Sequence, residues 1–413
     1  MLFGLSAIGS ENDERQRGGQ SWYGRGSQSE GGDMVSWVAV SYGALDVDAH
    51  SFGGGGYRFL VAPVRPGMPV MLMGVGATVW QRLVKGPVAE SDLDTEALGI
   101  VEEMERMGIA SREAGHEARV FEVVRPWLSS PIHELVYAIL GRVADSAGID
   151  IVFVKGPTLH AQGLRTREHS GDVDCWVAPG KDVQFARAME PWGWRPAISA
   201  FTSTPVLHSL TLRAPEWACA VDVHAWFPGM TVTPDEAFRQ LLESSEQRSF
   251  AGYVAKTPVR SLHAVISALH DVRPFGAESS AGGIDRAANT LSRGGESTAS
   301  AVVSFGAEFA LKEAFSRAFP ALPLDFENAR VPADWSWRSQ PTVLRAYVAA
   351  LRVLPLGQRL RTIFRVIWPS AESLRAGPFS LEVGSSSVSR LRARRAARGF
   401  QELASAIRRK SKA

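Results

Sequence analysis

The sequence is poor in cysteine and lysine and has no long apolar run. Cys175 and Cys219 are its only cysteines and form no CxxC pattern, which excludes a disulfide framework and favours reduced thiols in a cytoplasmic protein. No stretch reaches about 18 uncharged apolar residues, so no membrane span is expected. The N-terminus lacks the basic start and apolar core of a secretory signal. The 413 residues, 45% hydrophobic and 21% charged, predict an ordinary globular chain of two to three domains.

The small net charge of +2 hides an asymmetry between the C-terminal tail and the rest of the chain. Residues 390–412 carry nine basic side chains against Glu402, so this segment has a charge of +8 and the remainder −6. The charge therefore argues against nucleic acid as a partner of the core. Nucleic acid stays a candidate partner of the basic tail, 381–413, whose simpler interpretation is a solvated basic helix.

The first hundred residues divide into a polar segment and a patterned one. Residues 1–34 are rich in glycine, serine, glutamine and charge, and we expect them to be disordered. Residues 35–72 contain three short β-rich runs separated by glycine and proline turns. The runs GATVWQRLVKG and DTEALGIVEEMERMGI then place apolar residues at helical spacing. This order predicts a small α+β domain over 35–115.

The run VMLMGVGATVWQRLVKGPV, followed by VEEMERMGIA, resembles the pyrroloquinoline-quinone biosynthesis protein D family. The resemblance implies a winged-helix-like domain that recognises a precursor peptide in ribosomal peptide biosynthesis. Such a peptide would add as a strand to an exposed sheet edge, and we expect WVAVSYGAL and YRFLVAP to offer these edges. The alternative is a generic α+β domain with no peptide role.

The residues that carry chemistry lie between 151 and 226. Asp172 and Asp174 alternate with apolar residues in DVDCWV and so share one face of a predicted strand. Asp222 has the same setting in CAVDVH. If the two strands pair, three carboxylates converge, and a hard divalent cation such as Mg²⁺ or Mn²⁺ would hold them together. Two such ions would clamp the attacking and leaving oxygens of a phosphoryl displacement.

A strand ending in Lys-Gly, an arginine-containing loop, Gly-Asp-Val-Asp and a later Val-Asp-Val-His follow one another in this sequence. This order resembles the polymerase β-type nucleotidyltransferase superfamily, and within it a bacterial branch of uncharacterised nucleotidyltransferase family proteins. The resemblance implies an α+β chain with a mixed-sheet core and flanking helices at 130–257, and a helical region at 258–380. It also implies that a nucleoside triphosphate is the substrate.

The same resemblance assigns roles to individual residues. It implies that Asp172, Asp174 and Asp222 are metal ligands and that Asp222 is also the candidate base. It further implies a nucleotide-binding set of Lys155, Gly156, Arg165, Arg167 and Gly171, with the helix after Gly156 directing its N-terminus at the phosphates. The superfamily carries Gly-Ser at this turn, whereas here Lys155 supplies a charge and no hydroxyl. His224 is expected to orient Asp222 or to be a packed polar residue.

The C-terminal half has a mostly helical pattern. SLHAVISALHDV predicts one helix, and AVVSFGAEFALKEAFSRAF predicts a single amphipathic helix over 301–319. Residues 276–300 are small and polar and predict a mobile loop with one short helix.

Together these patterns predict a metal-dependent nucleotidyltransferase that moves a nucleoside monophosphate from a triphosphate to a hydroxyl acceptor. The acceptor suggested by the N-terminal resemblance is a ribosomally made precursor peptide, bound through residues 35–115. Two alternatives stay open. The chain could be a non-catalytic peptide-delivery protein with a degenerate core, or a kinase-like phosphoryl transferase that uses the same metal site.

Overall fold

The structure is a computed structural model. It describes residues 35–48, 56–168, 170–217, 219–274, 281–322, 326–371, 374, 387–394 and 397. The segment 1–34, predicted to be disordered, and most of the basic tail lie outside the described residues. The predicted division of the chain into domains stays a prediction.

The strands are short and occur throughout the first two thirds of the chain. They are β1 (Ser36–Ala39), β2 (Gly43–Asp46), β3 (Phe59–Ala62), β4 (Val70–Leu72), β5 (Val88–Ala89), β6 (Ala110–Ser111), β7 (Ile151–Val154), β8 (Asp172–Val177), β9 (Arg195–Pro196), β10 (Ser209–Ala214), β11 (Cys219–His224), β12 (Ser245–Phe250) and β13 (Tyr253–Pro258).

The helices separate these strands and then dominate the C-terminal part. They are α1 (Gly74–Lys85), α2 (Thr95–Met107), α3 (Pro131–Ser146), α4 (Gly156–Ala161), α5 (Asp182–Met189), α6 (Pro234–Glu243), α7 (Arg260–Val272), α8 (Ala281–Gly294), α9 (Thr298–Ser304), α10 (Glu308–Ala318), α11 (Trp335–Arg338), α12 (Val343–Val353) and α13 (Leu356–Ile367). No helix in the described part of the chain is long and apolar enough to cross a membrane.

A mixed five-stranded sheet forms the centre of the structure, in the order β7-β8-β11-β10-β9. β8 and β11 are parallel, and the other neighbours are antiparallel. Alternate residues such as Val173 and Val221 face a core shared with α3 and α5. The opposite face, which includes Val154 and Trp176, packs against α7 and α8. The predicted α+β class is thus confirmed, with a mixed-sheet core, flanking helices and a helical C-terminal region.

The N-terminal strands form two small antiparallel sheets, in the orders β5-β1-β6 and β2-β3-β4. The runs WVAVSYGAL and YRFLVAP were expected to offer free edges, and this expectation is wrong. β1 and β3 are central strands, and the outer side of β2 is occupied because the Ala44 N–H donates to the Ala251 carbonyl. β4 is the other outer strand of this sheet, and Met71 at its centre is 41% exposed.

The region after α7 is more helical than its composition suggested. Within the expected mobile loop, 276–300, the structure has the 14-residue helix α8, whereas 275–280 lie outside the described residues. Ala287 and Leu291 are buried against the α7 side of the core. Burial of these apolar side chains of α8 outweighs the poor helix propensity of the glycine and serine residues around them.

The single helix predicted over 301–319 is divided into α9 and α10. The break is at Gly306, where φ is +59° and the Thr231 side chain lies so close that a Cβ could not be placed. The Thr231 N–H and hydroxyl both donate to the Gly306 carbonyl. A tertiary contact therefore interrupts an otherwise continuous amphipathic pattern.

Close packing of α3 against β13 gives a direct test of the core. Gly141 on α3 faces Tyr253, and an added Cβ would lie well inside contact distance of the tyrosine ring. We expect Gly141→Ala to lower the free energy of unfolding by about 1–3 kcal/mol, although alanine favours helices. The matched control is Gly99→Ala on α2, where a Cβ meets nothing within 4 Å. That change is expected to stabilise the fold by about 0.5–1 kcal/mol. Urea unfolding of both variants measures the difference, and equal effects would contradict the packing.

Candidate active site

Three carboxylates lie on one face of the central sheet. Asp172 and Asp174 are two residues apart on β8, and Asp222 on the parallel strand β11 is paired with Asp174. Because paired residues of neighbouring strands point to the same face, the three carboxylates project together. They share the face that carries Trp176 and packs against α7. The strand pairing on which their expected convergence depends is therefore present.

Asp174 is the most buried of the three and is held by two donors. Its Oδ1 accepts hydrogen bonds from Lys155 Nζ at 2.7 Å and from His224 Nε2 at 2.8 Å, and the residue is 3% exposed. Burial alone would raise the pKa of Asp174, but the charge of Lys155 and the hydrogen bonds of both partners hold this pKa well below its ordinary value. Asp174 is therefore ionised, and Lys155 balances its charge.

His224 donates to Asp174, and no hydrogen bond to Asp222 is present among its described contacts. Of the two roles expected for His224, the packed polar residue is therefore the one that the structure supports, since it is 2% exposed. Burial lowers the pKa of His224, the charge of Lys155 lowers it further, and the carboxylate of Asp174 opposes both. A neutral ring that donates from Nε2 fits this environment. Its other nitrogen, Nδ1, is buried and has no hydrogen-bond partner among the described atoms.

Lys155 has a backbone conformation that residues other than glycine rarely adopt, with φ 58° and ψ −142°. Such a conformation costs on the order of 1–3 kcal/mol and persists where the surroundings enforce it. Here its N–H donates to His263 Nε2 at 2.6 Å, and its carbonyl accepts from the Thr158 hydroxyl at 2.6 Å. Since its ammonium also donates to Asp174, the N–H, the carbonyl and the side chain of Lys155 are all hydrogen-bonded. Strain retained beside a buried carboxylate is typical of a functional position.

His263 belongs to the site, and sequence reasoning missed it. It is fully buried on α7, and its Nδ1 lies 2.7 Å from Gln162 Oε1, so Nδ1–H donates there and Nε2 accepts from Lys155. Burial, and then the charge of Arg165, lowers the pKa of His263 to about 3. The signal in the sequence was a histidine inside the apolar stripe of SLHAVISAL, a pattern that ordinary core packing explains equally well.

The neutral state of His263 predicts a pH dependence of stability. The unfolded chain binds a proton near the ordinary pKa of 6.5, whereas the folded chain resists protonation down to about 3. Since the unfolded state then binds more protons, the free energy of unfolding falls as the pH is lowered through this window, by at most about 1.4 kcal/mol per unit from one group. Urea unfolding at several pH values should give a shallower slope for His263→Gln than for the wild type. His160→Gln, at an exposed position, should keep the wild-type slope; an unchanged slope in His263→Gln would contradict the assignment.

Asp172 and Asp222 are half-buried and each accepts a hydrogen bond from a hydroxyl. Ser170 Oγ donates to Asp172 Oδ1 at 2.8 Å, and Thr211 Oγ1 donates to Asp222 Oδ1 at 2.6 Å. Thr211 lies on β10 directly opposite Asp222. Both carboxylates are thus oriented by neutral donors and keep access to solvent, unlike Asp174.

The two glycines of the predicted nucleotide-binding set differ in what the structure requires of them. Gly156 has φ +56°, and an added Cβ would lie 2.5 Å from the hydroxyl oxygen of Tyr137. Glycine is therefore needed there by the backbone and by a close side chain of this protein itself. Gly171 is exposed, and a Cβ would meet nothing within 4 Å.

The two arginines of the predicted set lie in the loop before β8. The guanidinium of Arg165 donates from Nε to the Arg167 carbonyl at 2.6 Å and from Nη2 to the Glu168 carbonyl at 2.7 Å. Arg165 is half-buried, and Arg167 is exposed. Arg165 thus stabilises the turn that leads into Asp172, and a contact of either arginine with phosphate stays a prediction.

A second basic group lies at the edge of the carboxylate face and was also missed. Arg273 ends α7, and its Nη1 lies 2.7 Å from His208 Nε2. On the other side of the His208 ring, Arg338 Nη2 lies 3.4 Å from His208 Nδ1. Arg338 also forms an ion pair with the buried Asp334, at 2.8 Å. Burial lowers the pKa of Arg273, while the nearby charge of Asp222 raises it. A guanidinium is thus held within electrostatic range of the carboxylates.

Comparison with known proteins gives a structural neighbour but no family. No known protein-family model matches the chain, and no curated protein is significantly similar in sequence. Among solved structures, the chain is similar to the solution structure of the antibiotic-resistance factor ANT(2'')-Ia, with 13% sequence identity and a TM-score of 0.26. The match covers 46% of this chain and 88% of that one.

Proposed function

We propose that this protein is a metal-dependent nucleotidyltransferase, which transfers a nucleoside monophosphate from a nucleoside triphosphate to a hydroxyl group. The observation that carries the proposal is the placement of Asp172, Asp174 and Asp222 on one sheet face, beside the strained Lys155. Carboxylates on one face of a sheet favour a bound cation, because like charges raise one another's pKa.

The donor set fits a hard divalent cation, Mg²⁺ or Mn²⁺, because carboxylate oxygens are the ligands that such ions prefer. Asp172 and Asp222 are accessible to it, whereas Asp174 already has Lys155 as its counter-ion. No group of three histidine, cysteine, aspartate or glutamate side chains is assembled as a metal site within the described residues. The proposal is therefore that the ion binds together with the triphosphate, whose oxygens complete its coordination. When bound, the ion would neutralise charge on the transferring phosphate.

The side chains of the chain itself would then share the remaining tasks. The acceptor hydroxyl oxygen attacks the α-phosphorus, the bond from this phosphorus to the bridging oxygen breaks, and pyrophosphate leaves. Asp222, half-buried and oriented by Thr211, is the candidate base for the hydroxyl proton. Lys155 and Arg273 are the candidate cations for the triphosphate, and positioning and charge neutralisation would supply most of the rate.

The finer proposal is that the acceptor is a peptide bound at the outer edge of β4. An outer strand can extend its sheet by pairing with an added peptide strand. Met68, Met71, Met73 and Val75 are exposed on and around β4, and flexible methionine side chains are suited to binding surfaces. This edge replaces the two runs that the sequence favoured.

The test is turnover of each nucleoside triphosphate with Mg²⁺ and a candidate acceptor peptide, followed by pyrophosphate release and by the mass of the peptide. The proposal expects pyrophosphate and a gain of one nucleoside monophosphate. A gain of one phosphate with nucleoside diphosphate would assign phosphoryl transfer instead. Peptide binding without any turnover would support the peptide-delivery alternative and overturn the catalytic proposal.

A further inference from the structure

Large apolar side chains are exposed along one side of α13. They belong to Leu356, Leu360, Phe364, Ile367 and Trp368, which are 56% to 73% exposed and which we call the outer apolar face. The first four recur at helical spacing and so form a continuous stripe. A surface of this kind marks an interaction site, because leaving it in water forfeits the hydrophobic stabilisation of burial.

The orientation of α13 is the reverse of that of an ordinary surface helix. Its one buried residue is Thr362. Two of its arginines point inward, since Arg359 Nη2 donates to the Leu354 carbonyl at 3.1 Å and Arg365 Nη1 donates to the Thr202 carbonyl at 2.8 Å. The polar side of the helix thus holds it to the protein, and the apolar side faces outward.

The preceding helix also carries exposed apolar side chains. Leu344, Val348 and Val353 on α12 are also exposed. Tyr347, 41% exposed, keeps one ring contact with Phe201 at 5.4 Å between centroids. Apolar and aromatic side chains therefore continue over two successive helices.

The charged residues of α12 and α13 have one sign only. Residues 342–371 contain five arginines and no aspartate or glutamate. Arg345, Arg352 and Arg361 are exposed. Arg392, from the basic tail, lies over the Trp368 ring at 4.3 Å and donates to the Pro369 carbonyl at 3.2 Å. One residue of the basic tail, Arg392, thus lies against the outer apolar face.

The positive charge of α12 and α13 distinguishes among the partners that could bind the outer apolar face. A second copy of the chain would bring one arginine-rich face against another, and like charges repel. Arg392 of the tail lies over Trp368 and adds to this positive charge. A partner that complements both features must offer negative charge above an apolar layer, which is how an anionic bilayer is built.

We propose that α12 and α13 dock the protein on an anionic phospholipid surface. The outer apolar face enters the boundary between headgroups and acyl chains, and the arginines and the basic tail bind the headgroups. The helices lie in the plane of the interface and none of them spans the bilayer. This proposal is independent of the catalytic one, because it concerns binding and uses no residue of the candidate active site.

Vesicle co-sedimentation of the full chain tests the proposal. Vesicles of pure phosphatidylcholine are compared with vesicles that contain about a quarter phosphatidylglycerol, at low and high salt. We expect binding to the anionic vesicles only, weakened by salt. The double variant Phe364→Ser/Ile367→Ser should lower the partition coefficient on the order of tenfold or more. Its side chains are mostly exposed in the structure, so the fold should be retained.

Matched control variants distinguish binding through the outer apolar face from non-specific hydrophobic binding. Phe121→Ser removes another aromatic side chain, which is 74% exposed elsewhere in the chain, and should leave vesicle binding unchanged. Arg361→Gln should weaken binding more than Arg187→Gln, which removes an exposed arginine on α5. Equal binding to both kinds of vesicle, or equal loss in Phe121→Ser, would overturn the proposal. So would absence of vesicle binding together with self-association that Phe364→Ser/Ile367→Ser abolishes in sedimentation velocity, because the face would then belong to a second copy.

Discussion

Asp222→Asn is expected to lower the rate of nucleotide transfer on the order of 10³-fold or more, with little effect on folding. Asparagine keeps the shape of the side chain and keeps an Oδ1 that accepts the Thr211 hydroxyl. It removes the charge that would bind the cation and the lone pair that would take the acceptor proton. Asp222 is the best of the three carboxylates for this test, because Asp174 also serves the buried ion pair with Lys155.

The measurement is pyrophosphate release together with the mass of the acceptor, for the wild type and the variant at equal protein concentration. Asp150→Asn is the matched control, since it neutralises an exposed aspartate just before β7 and should leave transfer unchanged. Removal of divalent ions by a chelator should abolish the wild-type reaction, and added Mg²⁺ should restore it. Full activity in Asp222→Asn would show that the carboxylate face is not the site of transfer.

Lys155→Met is expected to lower the free energy of unfolding by about 3–5 kcal/mol. The side chains of Lys155 and Asp174 are only 12% and 5% exposed, so removal of the ammonium leaves a buried carboxylate with His224 as its remaining partner. Methionine retains the length of the side chain and faces the same unfavourable backbone conformation. The loss is therefore due to the charge and not to the backbone.

Two variants make this prediction specific. In the double variant Lys155→Met/Asp174→Asn neither charge is left alone, and much of the stability should return. Lys256→Met breaks an exposed pair with Asp150, whose atoms lie 3.6 Å apart, and should cost less than about 1 kcal/mol. Urea unfolding compares the four proteins. Similar losses for Lys155→Met and Lys256→Met would mean that the buried pair is no stronger than a surface one.

The contribution of the Lys155–Asp174 pair to the free energy of unfolding depends on pH. Since Lys155 and His224 lower the pKa of Asp174 below its ordinary 3.8, the pair stabilises the fold above that value and loses its effect as the pH falls further. Without Lys155, burial raises the pKa of Asp174, so the variant takes up a proton at a higher pH than the wild type does. The difference in stability between the wild type and Lys155→Met should therefore be largest near neutral pH and shrink as the pH falls through the raised pKa of the variant.

The sequence determined the parts of the protein that depend on local periodicity. Alternation placed Asp172 and Asp174 on one strand face, the apolar run Ile151–Val154 was a buried strand, and the helix after Lys155 began at Gly156 with Pro157 in its first turn. The α+β class of the whole chain was implied by the resemblance that these motifs carry. The spacing of apolar residues along one strand or one helix can be read from the sequence, because it reflects which side of that element is buried.

Only the tertiary structure decided which elements meet. It made β4 an outer strand and β1 and β3 central ones, it divided the long helix at Gly306 against Thr231, and it folded the serine- and glycine-rich segment into α8. It brought His263, 108 residues away in sequence, to the backbone of Lys155. It also turned the apolar side of α13 outward. These outcomes depend on contacts between segments that are distant in sequence. A local pattern does not specify which segment packs against an apolar face or forms a hydrogen bond with a given backbone group.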